Sequence, residues 1–133
     1  MRGEMHRKIT IGKKYCGFSN IGNGGYVCGM VAKDMQGIVE VTLWKPPPLD
    51  LPLDVERDDN RVFFRDGDLV VAEGRPCSMD LEVPDPPTYR EAVEASKLSA
   101  ALIDRPLSPD CFVCGCNRAE GDGLRVFAGP VTG

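Results

Sequence analysis

Along the chain, apolar and polar positions alternate in short extended runs, broken by one apolar helical run and one proline-rich stretch. Ile9 and Ile11 stand between polar neighbours and predict a first strand over residues 9–15. Residues 16–25 are rich in Gly, Ser and Asn and predict a loop. From Asn23 to Gly37 the period lengthens: Val27, Met30, Val31 and Met35 recur at helical spacing, with Asn23 as a good N-cap and Gly37 as a good residue just past the C-terminus. Cys28, Gly29 and Ala32 occupy the other faces. The helix is therefore apolar nearly all round as far as Lys33, the pattern of a helix enclosed by other elements. Its glycines are poor helix formers, which makes sense if a sheet packs closely against them.

After residue 37 the period becomes two. Val39, Val41 and Leu43 alternate with Glu40, Thr42 and Trp44, and Pro46-Pro47-Pro48 ends the strand because proline donates no N–H to a ladder. Residues 53–57, 61–65 and 69–75 read as three more strands, joined by Asp58-Asp59-Asn60 and by the hairpin dipeptide Asp66-Gly67. Connections this short predict antiparallel neighbours. Residues 79–87 mix prolines with acids and predict a stiff linker. Thr88-Tyr89-Arg90-Glu91 then matches a capping box, opening a helix over residues 89–103 that Pro106 stops. Its partly apolar face carries Tyr89, Val93, Ser96, Ala100 and Ile103. Residues 107–122 read as loop, and residues 123–128, with Leu124 and Val126, as a last short strand.

The totals sharpen this α+β picture. At 133 residues, 42% hydrophobic and 27% charged, the chain can build a core without disulfide staples. A net charge of −4 and the lack of a Lys/Arg stripe argue against nucleic acid as a partner. The longest apolar stretch, around Val27–Ala32, is far too short to cross a membrane, and the polar start at residues 1–8 does not resemble a signal peptide. A cytoplasmic location is expected, with the six cysteines as reduced thiols and no cofactor.

The order strand, Gly-rich loop, helix, antiparallel strands resembles the hotdog fold, a curved antiparallel sheet wrapped around a central helix; here an extra C-terminal helix is expected. More locally, Asn23-Gly24-Gly25-Tyr26, the segment from Glu40 through Trp44-Lys45-Pro46-Pro47-Pro48 to Asp50, and Asp66 through Glu73 resemble the first half of bacterial acyl-CoA thioesterase-like proteins with two hotdog modules. In such proteins a Cys-Phe-x-Cys-Gly motif and a Gly-Leu-Arg strand open the second module; here these are Cys111-Phe112-Val113-Cys114-Gly115 and Gly123-Leu124-Arg125-Val126. The resemblance implies a hotdog-like module over residues 1–80, a linker and helix over 81–106, and over 107–133 the start of a second module that breaks off. It implies a partner as well, an identical chain or another hotdog module, because hotdog sites lie between two modules.

The loop-to-helix junction is the leading candidate site. The first amides of a helix have no intrahelical acceptor and sit at the positive end of its dipole. Gly24 and Gly25 place no Cβ in a ligand's path. Such amides stabilise a thioester oxygen as it gains negative charge, roughly 3 kcal/mol per donor in enzymes. By resemblance, Gly24 and Gly25 polarise the carbonyl of an acyl-CoA-type ligand, Asn23 holds the loop, and Tyr26 lines the acyl tunnel. The competing reading is tight packing with ordinary capping by Asn23. Hydrolysis also needs a base, and Asp34, Glu40 and His6 sit in no diagnostic motif. Cys111, Cys114 and Cys116 form C-x-x-C-x-C: half of a zinc site, which wants four ligands, a redox pair, or a turn with packed thiols. A thioesterase, a non-catalytic hotdog binding or scaffold subunit, and a zinc-stabilised adaptor remain open at this point.

Overall fold

The computed structural model describes residues 7–103 and 108–131, so the expectations for His6 and Pro106 fall outside the described residues. The chain divides into two compact units: Met1–Cys16 with Asn20–Met79, and Gly17–Ser19 with Asp80–Gly133.

The first unit is a five-stranded antiparallel open sheet with one helix packed on it. Strand β1 spans Arg7–Thr10, helix α1 Gly24–Ala32, β2 Val39–Leu43, β3 Pro52–Asp58, β4 Arg61–Asp66 and β5 Leu69–Pro76. The strand order is β1-β3-β4-β5-β2, so α1 connects two strands at opposite edges and crosses the sheet between them. Two-residue loops join β3 to β4 and β4 to β5, with Asp59 at φ 49° and Gly67 at φ 56°, the positive φ that tight hairpin turns demand.

Register explains the core. Ile9 pairs with Leu53, Val55 with Phe64, Phe64 with Ala72, and Val62 with Gly74, so these residues share the face that α1 covers. Phe64, Ile11, Leu53, Val27 and Val31 are fully buried. The opposite face is a solvated lattice of ion pairs: Lys8 with Asp54, Arg65 with Glu56, Arg61 with Glu73, and Arg75 with Glu40. A bulge between Phe64 and Arg65 gives β5 an extra residue, Val71, whose carbonyl accepts from the N–H groups of both Trp44 (2.9 Å) and Lys45 (3.3 Å).

Several boundaries differ from those the periodicity predicts. The first strand stops at Thr10, and Lys13–Tyr15 is a 3₁₀ turn. There the chain leaves the sheet because Asp50 captures it, its N–H donating to Ile11 O and its Oδ1 accepting from Lys13 N, both 2.9 Å. Helix α1 ends at Ala32, short of Gly37, in tightened turns through Asp34 and Met35. The carboxylate of Asp34 is gripped there by Arg7, which donates to both oxygens at 2.9 Å, and by Arg57 at 3.4 Å. Helix α1 is also not enclosed: Val27 and Val31 alone are fully buried, and Gly25 and Gly29 are exposed. The close helix–sheet approach rests on Gly74 of β5, where an added Cβ would lie 2.5 Å from Val31 Cγ1; at Gly29 it would meet nothing.

In the second unit the expected helix over residues 89–103 breaks in two, α2 at Tyr89–Ser96 and α3 at Ala100–Ile103. Ser96 Oγ bonds back to Val93 O (2.8 Å), and Leu98 and Ser99 take i→i−3 hydrogen bonds that tighten the chain out of the helix. The capping box is present, with Thr88 Oγ1 accepting from Glu91 N and the Glu91 carboxylate accepting from Thr88 N. No strand forms over residues 123–128. Leu124 N and Val126 N do bond Phe112 O (2.9 Å) and Val113 O (2.8 Å), but Arg125 between them takes φ 51°, which interrupts a ladder.

Candidate functional site

The start of α1 is fixed from three directions. Gly22 donates to Pro47 O at 2.7 Å and has no room for a side chain, since a Cβ there would lie 3.2 Å from each of Ile11, Pro47 and Val27. Asn23 N donates to Tyr15 O at 2.8 Å. The Asn23 side chain accepts from Tyr26 N at 3.0 Å, and its carbonyl accepts from Val27 N at 3.0 Å, the first bond of the helix. That leaves the N–H groups of Gly24 and Gly25, which have no acceptor among the described residues.

Gly24 lines an open groove of about 340 Å³, whose other walls are Ile21, Gly22, Leu43, Trp44, Lys45, Pro46 and Pro47; Gly25 is the next residue along the helix and does not line it. Its walls come from two segments clasped together by the Gly22–Pro47 hydrogen bond and an isolated bridge between Ile21 and Pro48. The prolines do more than end β2: they form one wall of the groove. Trp44 is 58% exposed, and its indole N–H is held by Glu73 Oε2 at 3.1 Å; Glu73 in turn accepts from Arg61 at 3.2 Å. The groove is mainly apolar and contains no acid. Among the described residues that line it, Lys45 is the one with a charged side chain.

The other candidate residues lie elsewhere. Tyr26 stacks on Tyr15, ring centroids 4.0 Å apart and planes 5° from parallel, and does not line the groove. Burial, then the neighbouring Tyr15, raise the Tyr26 hydroxyl above its ordinary pKa. Asp34 is committed to Arg7 and Arg57 at the far end of α1, and Glu40 to Arg75 on the ion-paired face of the sheet (2.6 Å). Neither carboxylate lines the groove. Among the described residues no three of His, Cys, Asp and Glu gather in a way that would hold a metal ion. Cys111 is buried, while Cys114 and Cys116 are half-buried.

Sequence reading named Asn23, Gly24 and Gly25 as site residues, of which Gly24 lines the groove, and did not so name Ile21, Gly22, Leu43, Trp44, Lys45, Pro46 and Pro47, its other walls. One signal was available: a tryptophan at the polar phase of an alternating strand, separated by one lysine from three prolines, marks an apolar surface that the strand itself does not bury. Among the described residues no helix is long and apolar enough to cross a membrane. No family model, curated protein or solved structure matches the chain.

Proposed function

We propose that the first unit is a hotdog-like module that binds an acyl thioester, with the Gly24 and Gly25 amides donating to the thioester carbonyl and the acyl chain lying along Ile21, Leu43, Trp44 and Pro47. One observation carries this reading: Gly24, the first of two adjacent residues with unbonded amides at a helix N-terminus, lines an apolar groove. The hotdog assignment is supported by a helix inserted between the first two strands and packed across a five-stranded antiparallel sheet. The role is binding without hydrolysis by this chain's own groups, because no carboxylate or imidazole among the described residues lines the groove to activate water. A base for hydrolysis would have to come from a second module, identical or not, which would also cover an unpaired edge at β1 or β2.

The decisive variant is Gly24→Pro. Gly24 is the first helical residue, where proline is tolerated because its missing N–H had no intrahelical partner. Asn23, at φ −59° and ψ 126°, already has the conformation a residue before proline prefers. The variant deletes one donor and suits the helix start, but its ring also adds carbon to the groove wall, with a Cβ 3.3 Å from Leu43 Cδ1; Gly24→Ala, which adds the same Cβ and keeps the N–H, is its control. Titrating the chain with non-hydrolysable acyl-CoA thioethers, followed by Trp44 fluorescence, is expected to show saturable binding that Gly24→Pro weakens about tenfold more than Gly24→Ala does, the worth of one well-placed hydrogen bond. Hydrolysable acyl-CoA is expected to be returned intact. No binding by the unmodified chain, or equal binding by Gly24→Pro and Gly24→Ala, would overturn the proposal.

A further inference from the structure

The second unit holds three thiols, Cys111, Cys114 and Cys116, and the groove uses none of them. Cys111 and Cys114 flank a turn closed on itself: Cys111 N donates to Ser108 O at 3.1 Å, and Gly115 N to Cys111 O at 2.8 Å. Gly115 has no room for a Cβ, which would lie 2.5 Å from both Cys111 O and Pro109 O. The intervening carbonyls of Phe112 and Val113 are pinned by Leu124 N and Val126 N. Held this way, Cys111 and Cys114 stand at the two ends of one tight turn, with Cys111 buried and Cys114 partly open to solvent. No third Cys, His, Asp or Glu joins them among the described residues.

We infer that Cys111 and Cys114 form a reversible dithiol–disulfide pair, a thiol-exchange site for low-molecular-weight disulfides. The assignment of roles follows from exposure. The thiolate of Cys114, the accessible member, attacks one sulfur of a small disulfide, forming a mixed disulfide and expelling one small thiolate. Deprotonated Cys111 then attacks the Cys114 sulfur, forming the internal disulfide and expelling the second small thiolate. The two cysteines are oxidised by two electrons, and one small disulfide is reduced to two thiols. The hydrogen-bonded turn favours the second step because it holds the two cysteines within one turn of backbone and leaves little chain entropy to lose on closure. Burial, with Cys111 beside it, raises the Cys114 thiol above its ordinary pKa, so the thiol stays protonated at neutral pH and exchange is slow there.

The test is to incubate the full chain with glutathione disulfide between pH 7 and 8.5, block free thiols with iodoacetamide, and map the peptides by mass spectrometry. The expected product is an unalkylated Cys111–Cys114 peptide two mass units lighter than the reduced one. It should form before any pairing that involves Cys16, Cys28, Cys77 or Cys116, about tenfold faster per pH unit, and be reversed by dithiothreitol. Cys111→Ser should trap the glutathione adduct on Cys114, since nothing remains to displace it. Recovery of alkylated Cys111 and Cys114 while other cysteines oxidise, or a disulfide from Cys114 to Cys116, would overturn the assignment.

Discussion

Gly74→Ala tests the helix–sheet interface on which the groove depends. The added methyl would lie 2.5 Å from Val31 Cγ1 and 2.8 Å from Met35 Sδ, against the roughly 3.5–4.0 Å of relaxed apolar contact. Met35 is flexible and can move. Val31 cannot, being fully buried and β-branched within a helix, where a single χ1 rotamer dominates. Either Val31 leaves its rotamer, at about 0.5–1.5 kcal/mol, or α1 lifts from β5; overpacking of this kind costs about 1–3 kcal/mol. Replacing glycine also restricts the unfolded chain, which returns about 0.4–1 kcal/mol. The net expectation is a loss of about 1–2 kcal/mol, read as a urea midpoint lower by about 0.5–1 M. Trp44, the single tryptophan, belongs to the same unit and reports its unfolding by fluorescence. In combination with Val31→Ala, which removes the clashing methyl groups, the double variant should be more stable than the sum of the single effects predicts, by at least about 0.5 kcal/mol. Wild-type stability in Gly74→Ala, or strict additivity in the double variant, would refute the packing argument.

Three further outcomes are expected. Gly29→Ala places a methyl where nothing lies within 4 Å, in an exposed helix interior, so it should raise stability by about 0.5–1 kcal/mol in the same urea titration. Asp34→Asn removes the charge shared by Arg7 and Arg57; both cations are partly exposed and rehydrate, so the loss should be about 1–2 kcal/mol, smaller at high salt, as seen by thermal melts across ionic strength. Glu91 is held below its ordinary pKa by the hydrogen bonds that Thr88 donates to its carboxylate. A lowered folded-state pKa means the capping contribution is present above the unfolded value of about 4.3 and is lost as pH falls below it; helical circular dichroism should drop over that acidic range in the parent and not in Glu91→Ala.

Much of the site was legible and some of it was not, for a reason visible in particular residues. Asn23 announces a cap through its own side chain, which needs only the amide three residues ahead, and the free amides of Gly24 and Gly25 follow from being the next two residues. Tyr26, one position on, was expected to line an acyl tunnel, yet it stacks on Tyr15, because the side chain's destination depends on a 3₁₀ turn that Asp50 imposes from much later in the chain. The groove walls were hidden in the same way: Ile21 and Pro48 meet across a bridge, and Trp44 is placed by a carbonyl at the bulge of β5.

Sequence alone determined what neighbours decide: strand periods of two, the hairpins at Asp59 and Gly67, the Asn23 cap and the Thr88–Glu91 capping box. Each rests on dihedral preference or on a hydrogen bond across a few residues. Tertiary structure alone decided that α1 has an open face, that Gly74 rather than a helix glycine admits the close approach, that Asp34 ends the helix by holding two arginines, and that the candidate groove joins residues 21–24 to residues 43–47. These depend on which strands neighbour each other and where a bulge shifts the register, and in the chain those determinants lie tens of residues from the groups they bring together.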